Sequence, residues 1–366
     1  MKNLAQHWST IQATLFPMLE KELGPFTEKH EQLVTTLEFS RVEGFIRTYW
    51  GCVGRPAEDR AALARAFLAK AVYNFPRTTH LIDRLHCDPI LRRICGWTFR
   101  SSIPSESTFS RAFSEFAESG LANRAHEGFV AKYHAERLIG HISRDATEIE
   151  GREKVAKTKS TEVSPKLEKK KRGRPKKGEE RPLPEPKRLE RQLNMTLLEM
   201  LADLPKACDI GTKKNSKGFK VSWKGYKLHI DTADGDIPIS ALLTSASVHD
   251  SQVSLPLATL TAERVQNCYD LMDAAYDAEI IRAHSESLGH TPLIDFNHRS
   301  PKDERTFAPH EATRYKQRSS AERVNSNLKD NFGGRFVAVK GHTKVLSHLM
   351  FGVLALTIDQ TVRLLT

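Results

Sequence analysis

No Cys-x-x-Cys pair occurs in this chain, and its five cysteines, Cys52, Cys87, Cys95, Cys208 and Cys268, are scattered and odd in number. That pattern excludes a disulfide framework and a four-cysteine structural zinc site, and it fits a reducing cytosol. Nor does a basic-then-apolar leader open the sequence. Met1-Lys-Asn-Leu-Ala-Gln-His is polar from the outset, so no secretory signal is expected. Long unbroken apolar runs are missing as well. The most apolar stretch, Val345 to Leu365, is interrupted by His348, Asp359, Gln360 and Arg363, and reads as a buried or oligomer-facing helix rather than a membrane span.

Positive charge is what the chain has in excess. The formal net charge is +11 over 366 residues, and residues 152–191 concentrate it, with 16 Lys/Arg against 7 Asp/Glu. The rest of the chain is close to neutral, so the basic segment points to a polyanion, DNA or RNA. This segment also carries Pro165, Pro175, Pro182, Pro184 and Pro186 and almost no large apolar residue, which predicts a flexible insertion over 152–191. Within it, Lys169-Lys-Lys-Arg172-Gly173-Arg174-Pro175-Lys-Lys177 has two readings. One is an AT-hook, with Arg172 and Arg174 entering the narrow minor groove of A·T-rich DNA; the other is a solvated charge run.

At this length two or three folding units are expected, and a hydrophobic content of 39% is enough for real cores. Residues 1–135 read as helical. Gly54-Arg55-Pro56 punctuates this part, Pro56 is placed to open a helix, Ser105 is a candidate N-cap, and Phe109, Phe113 and Phe116 repeat at core spacing. Arg92, Arg93, Arg100 and Arg111 nearby would suit a helix-turn-helix unit, although that signal is weak alone. Strands dominate later. Leu138 to Thr147 is the first, Gly225 to Ile230 and Ile237 to Leu243 form a hairpin about Asp234-Gly235-Asp236, and strand and helix then alternate through Asp273 to Phe296.

The most informative segment is Tyr315-Lys-Gln-Arg318-Ser-Ser-Ala-Glu322-Arg-Val-Asn-Ser-Asn-Leu-Lys329-Asp330, which lacks Pro and Gly. On one continuous helix at roughly 100° per residue, Tyr315, Arg318, Glu322 and Lys329 share a narrow stripe, while Ala321, Val324 and Leu328 turn to a core. A carboxylate flanked by Arg, Lys and a phenol suits a metal-bound phosphate ester. An ordinary i,i+4 ion pair between Arg318 and Glu322 is the plainer alternative. Two further acids, Asp145 in His141-Ile-Ser-Arg-Asp145-Ala-Thr-Glu and Asp273 in Cys268-Tyr-Asp-Leu-Met-Asp273-Ala-Ala-Tyr-Asp277, end strand-like runs.

With these residues the chain resembles the DDE transposases of bacterial insertion sequences, in the group marked by Tyr-x2-Arg-x3-Glu-x6-Lys, a signature met at all four positions. In the second acid motif Ala275 stands where the group commonly has glycine. The N-terminal Gly54-Arg55-Pro56 and Ile103-Pro104-Ser105-Glu106-Ser107-Thr108 also resemble that group's helical end-binding region. The resemblance implies a helical N-terminal DNA-end-binding region over 1–135 and an α/β RNase H-like catalytic domain over 136–366. It implies Asp145, Asp273 and Glu322 as catalytic metal ligands, and Tyr315, Arg318 and Lys329 as contacts to the phosphates. In-line displacement at a phosphodiester is suited to two Mg²⁺ ions on hard oxygen ligands, with Mn²⁺ able to substitute and Asp145 as the bridging ligand.

The expected substrate is double-stranded DNA, both the terminal inverted repeats and the target, handled by a homodimer in a synaptic complex that the apolar C-terminal helix could help form. A cytoplasmic, nucleoid-associated bacterial protein with no membrane partner fits that reading. A nuclease of the same fold without joining activity, and a transposase-derived DNA-binding regulator, remain as alternatives. Among rival acids, Glu148, Glu150, Asp270 and Asp277 read as surface or capping residues, Asp250 as the N-cap of the following helix, and His249 as structural.

Overall fold

A computed structural model describes residues 2–46, 58–155, 186–214, 217–297 and 306–365. Gly54, Arg55, Pro56 and the candidate minor-groove residues Arg172 and Arg174 lie outside the described residues. From Lys2 to Tyr133 the described chain is helical, and from Leu138 it builds a six-stranded mixed sheet. The strands are β1 (Leu138–Glu150), β2 (Asp209–Lys214), β3 (Lys220–Ala233), β4 (Ile237–Ser245), β5 (Gln266–Met272) and β6 (Thr291–Ile294).

Antiparallel pairing joins β3 to β1, β2 and β4, whereas β5 runs parallel to β1 and β6 parallel to β5. The expected turn between β3 and β4 forms because Gly235 and Asp236 take φ of +83° and +59°, a left-handed geometry that Gly and Asp tolerate. Gly225 is required for a different reason. A Cβ there would run into the Ile149 carbonyl across the strand pair.

One face of the sheet, carrying Ile149, Tyr226, Leu228, Ile230, Ala241 and Leu243, belongs to the same core as the N-terminal helices. The 22-residue helix His342–Arg363 runs through that core. Phe351 meets Phe67 at 6.0 Å between ring centroids, and Phe67 in turn packs on Phe109, Phe113 and Phe116, so those phenylalanines are core as expected. Polar stitches cross the same boundary. His126 bonds the Pro238 carbonyl and the Thr357 hydroxyl, each at 3.1 Å, and His134 bonds the Thr361 hydroxyl at 3.0 Å.

A boundary at 135/136 therefore separates helices from strands without dividing the core. The C-terminal helix is long and apolar enough to cross a membrane by composition, but 78% of its apolar window is buried inside this fold. Its apolar residues are covered by its own chain, which removes it as the dimer-forming surface imagined from sequence. The opposite face of the sheet is covered by the helices Leu197–Asp203, Ser254–Ala262 and Glu279–Ser287, through Met200, Leu255, Leu257 and Ile281.

Several local expectations shift by a few residues. The helix expected to open at Pro56 starts at Arg60 with Asp59 as its cap, the Asp59 carboxylate accepting from the Ala61 amide. Ser105 holds the N-cap position of Glu106–Glu118, yet its hydroxyl meets Ser107 and Thr108 hydroxyls rather than an amide. Residues 188–191, at the end of the basic segment, are helical, and Arg188 pairs with Asp203 at 2.7 Å.

Candidate active site

Register along the sheet places two of the expected acids. β1 and β5 run parallel with Ser143 opposite Leu271, so two residues on, Asp145 and Asp273 come level on the same face. Strand β1 continues past this point to Glu150, against β3 alone. Asp273 leaves β5 directly, and its carboxylate accepts from the Ala275 amide at 3.0 Å, capping the short turn Ala274–Tyr276. Ala275, small where the resembling group has glycine, sits in that turn.

Both carboxyls are electrostatically strained. Burial pushes Asp145 up to about 6; the Ala146 amide and Arg318 pull it down, while the charges of Asp273 and Asp250 add to the rise. Asp273 is raised too, by burial first, then by Asp250 and Asp295, against the Ala275 amide and Arg318. Beside them the Tyr276 phenol is fully buried, and its oxygen has no hydrogen-bond partner among the described residues.

The signature segment lies across this pair, but it is not one continuous helix. Pro309–Tyr315 is helical, Lys316–Arg318 tightens into a 3₁₀ turn, and Ser319–Asn331 resumes the α-helix. Ala321, Val324 and Leu328 are buried in the core, as the periodicity predicts. Asn325, buried beside them, donates its amide to Asp145 Oδ2 at 3.0 Å and fixes the helix over β1. Tyr315 packs against Phe307 in a tilted pair with centroids 4.9 Å apart, and the Arg318 guanidinium lies 6.0 Å from the Tyr315 ring.

Glu322, the third acid, is held by Arg318 at 2.6 Å with 56% of its side chain exposed. The plainer sequence reading, an i,i+4 ion pair, is thus the arrangement present. Lys329 departs further from the expected stripe: it pairs with Glu148 at 3.2 Å, and Glu148 is bonded in turn by Lys213 at 2.6 Å. Burial raises the Glu148 carboxyl, but the Lys213 hydrogen bond and the two ammonium charges outweigh it and hold the group down at about 2.

Two acids passed over in the sequence border the site. Asp250 is not an N-cap: His249 caps the 3₁₀ turn Asp250–Val253, and Asp250 pairs with Lys227 at 2.8 Å. Asp295, one residue beyond β6, adds its charge to Asp273. The signal that finds both is topological, since parallel strands deliver acids to a common edge.

Among the described residues no three His, Cys, Asp or Glu side chains converge closely enough to hold a metal ion. The donor set nonetheless fits a divalent cation. Asp145 and Asp273 are hard oxygen ligands whose charges repel in a largely buried site where a cation would relieve that repulsion, and Glu322 stands one helical turn from the Asn325 that touches Asp145.

Two family models place the chain in the transposase class. Residues 202–358 match the Transposase DDE domain family, and residues 20–115 match the Transposase domain family (DUF772). The chain belongs with the insertion-sequence DDE transposases. The first match contains Asp273 and the Tyr315, Arg318, Glu322 and Lys329 signature, while Asp145 precedes it. No curated protein and no solved structure matches the chain.

Proposed function

We propose that this transposase binds the terminal inverted repeats of its insertion sequence as a homodimer and carries out metal-dependent strand cleavage and strand transfer on an RNase H-like domain. The carrying observation is the level placement of Asp145 on β1 and Asp273 at the end of the parallel strand β5, beside the 3₁₀ turn that bears Arg318 and the helix that bears Glu322. Strand topology supports the RNase H-like reading: β4, β3 and β1 pair antiparallel, then β5 and β6 follow in parallel.

Asp145, Asp273 and Glu322 would hold two Mg²⁺ ions, with Mn²⁺ able to substitute, and the ions would supply nucleophile activation and stabilisation of the leaving 3′-oxygen. For Glu322 to join, its carboxylate must leave Arg318. The freed guanidinium, already beside Tyr315 and the acids, then faces the phosphate, where a fixed cation favours developing charge. Lys329 reaches DNA phosphate by exchanging its Glu148 partner for the backbone.

The test uses the full chain with labelled DNA spanning an element end and its flank. Nicking is expected with Mg²⁺ and not with EDTA, and cleaved ends supplied with target DNA should yield joined product, which a nuclease alone would not give. Asp145→Ala, Asp273→Ala and Glu322→Ala should each abolish nicking while the gel shift persists. Any one of them nicking at the normal rate refutes the ligand assignment.

A further inference from the structure

Away from the acids, a cleft of about 470 Å³ is lined by Lys70, Arg77, Arg152, Lys340 and Lys344 against one acid, Glu106. It shares Pro76, Arg77, Arg152 and Ala338 with a second cleft of about 500 Å³ that reaches Glu150 at the end of β1. No described carboxylate lies within ion-pair reach of any of those five cations. Arg152 donates to the Ala338 carbonyl instead, at 3.3 Å.

Lys70 makes the argument specific. It is 5% exposed, and its ammonium has one partner among the described residues, His348 Nδ1 at 3.2 Å. His348 must carry its proton on Nε2, because that nitrogen faces the Gly333 carbonyl at 2.9 Å, so Nδ1 accepts from Lys70. Two ammonium protons are left over in a cavity wall with no carboxylate to receive them. A buried cation without a counter-ion is costly, and burial pulls the Lys70 ammonium down to about 8; an anion in the cleft would offset that cost.

We propose that this cleft is a docking site for the phosphodiester backbone of duplex DNA running away from the catalytic acids. The proposal rests on the DNA-processing reading above. Glu150, at the mouth, lies five residues along β1 from Asp145, which is about 17 Å at roughly 3.3 Å per residue. That length corresponds to about five nucleotide steps at roughly 3.4 Å each. One wall comes from the N-terminal helices and the other from Arg152 just past β1, the segment before the C-terminal helix and that helix's first turn, so a bound duplex would bridge both parts of the shared core.

Binding of the full chain to a labelled 30-base-pair duplex of arbitrary sequence, measured by anisotropy in EDTA across a salt series, tests this without catalysis. Arg77→Ala/Lys344→Ala should weaken binding to every sequence alike and reduce the slope of log K against log salt by about 2, at an unchanged melting temperature. Lys21→Ala/Lys132→Ala, removing two exposed cations elsewhere, should leave the slope as it was. A wild-type slope in the cleft variant overturns the proposal. So does a cleft that takes only the free anion, seen as inorganic phosphate raising the melting temperature of the wild type and not of the variant while DNA binding is unaffected. If the cleft variant binds normally and Asp145→Ala still loses nicking, the cleft is refuted and the catalytic reading survives.

Discussion

Arg318 and Glu322 are joined at 2.6 Å, and the same guanidinium carries the positive charge that Asp145 and Asp273 face. One cation therefore pairs with one acid and partly offsets the charge of two others. Arg318→Ala should release Glu322 while deleting the group that meets the phosphate. The expected outcome is a Mg²⁺ half-saturation for nicking that is unchanged or lower, together with a fall in strand joining on the order of 100-fold, typical of losing a transition-state donor. Cleavage and joining assays across a metal titration separate the two effects; a higher metal requirement would contradict the competition between Arg318 and the ion.

How far the site could be read in advance follows the distance of each contact along the chain. Ala321, Val324 and Leu328 were legible as core because helical periodicity is local, and Asp234-Gly235-Asp236 was legible as a turn because its backbone demands are local. The break at Lys316–Arg318 carries no Pro or Gly to announce it. Lys329 reaches Glu148 and Asp250 reaches Lys227 through the packing of a helix and a turn on the sheet, which a single sequence does not display. The burial of His342–Arg363 among the N-terminal helices is hidden for the same reason: an apolar helix looks alike whether its partner is its own chain or another.

Beneath the acids, on the other face of the sheet, Arg144 and Asp231 form a cross-strand pair at 2.7 Å with side chains 1% and 0% exposed. Thr261 donates to Asp231 at 2.7 Å, and Arg144 also contacts Ser254 and Met272. Removing one partner strands a charge in the interior, so Asp231→Ala should cost roughly 3–5 kcal/mol in chemical denaturation. Arg144→Met/Asp231→Leu should cost clearly less than that single change. A loss below about 1 kcal/mol for Asp231→Ala would show that water reaches the pair.

Buried histidines set the acid limit of the fold. Burial lowers His126 and His348 to about 3 and His134 and His229 to about 4, with Arg264, Lys70, Arg137 and Lys227 respectively adding repulsion and Asp250 partly offsetting it at His229. In the unfolded chain these imidazoles take protons near pH 6.5, whereas the native state refuses them until pH 3 to 4. Each contribution is thus intact above pH 6.5 and is lost as pH falls towards the folded value, because the unfolded state binds the extra proton. Asp145 works in the opposite sense: its raised carboxyl keeps a proton in the native state between its ordinary range and about 6. Burial raises the Asp273 and Asp231 carboxyls in the same sense as Asp145. Eight lowered histidines among the described residues outnumber these three acids, so the melting temperature should fall by several degrees between pH 7 and pH 5 and more steeply below. His348→Gln and His126→Gln would lower stability at pH 7 but flatten the decline, since each removes one of the protons taken up on unfolding. A melting temperature independent of pH from 7 to 5 would mean that these histidines are reached by solvent and titrate normally in the folded protein.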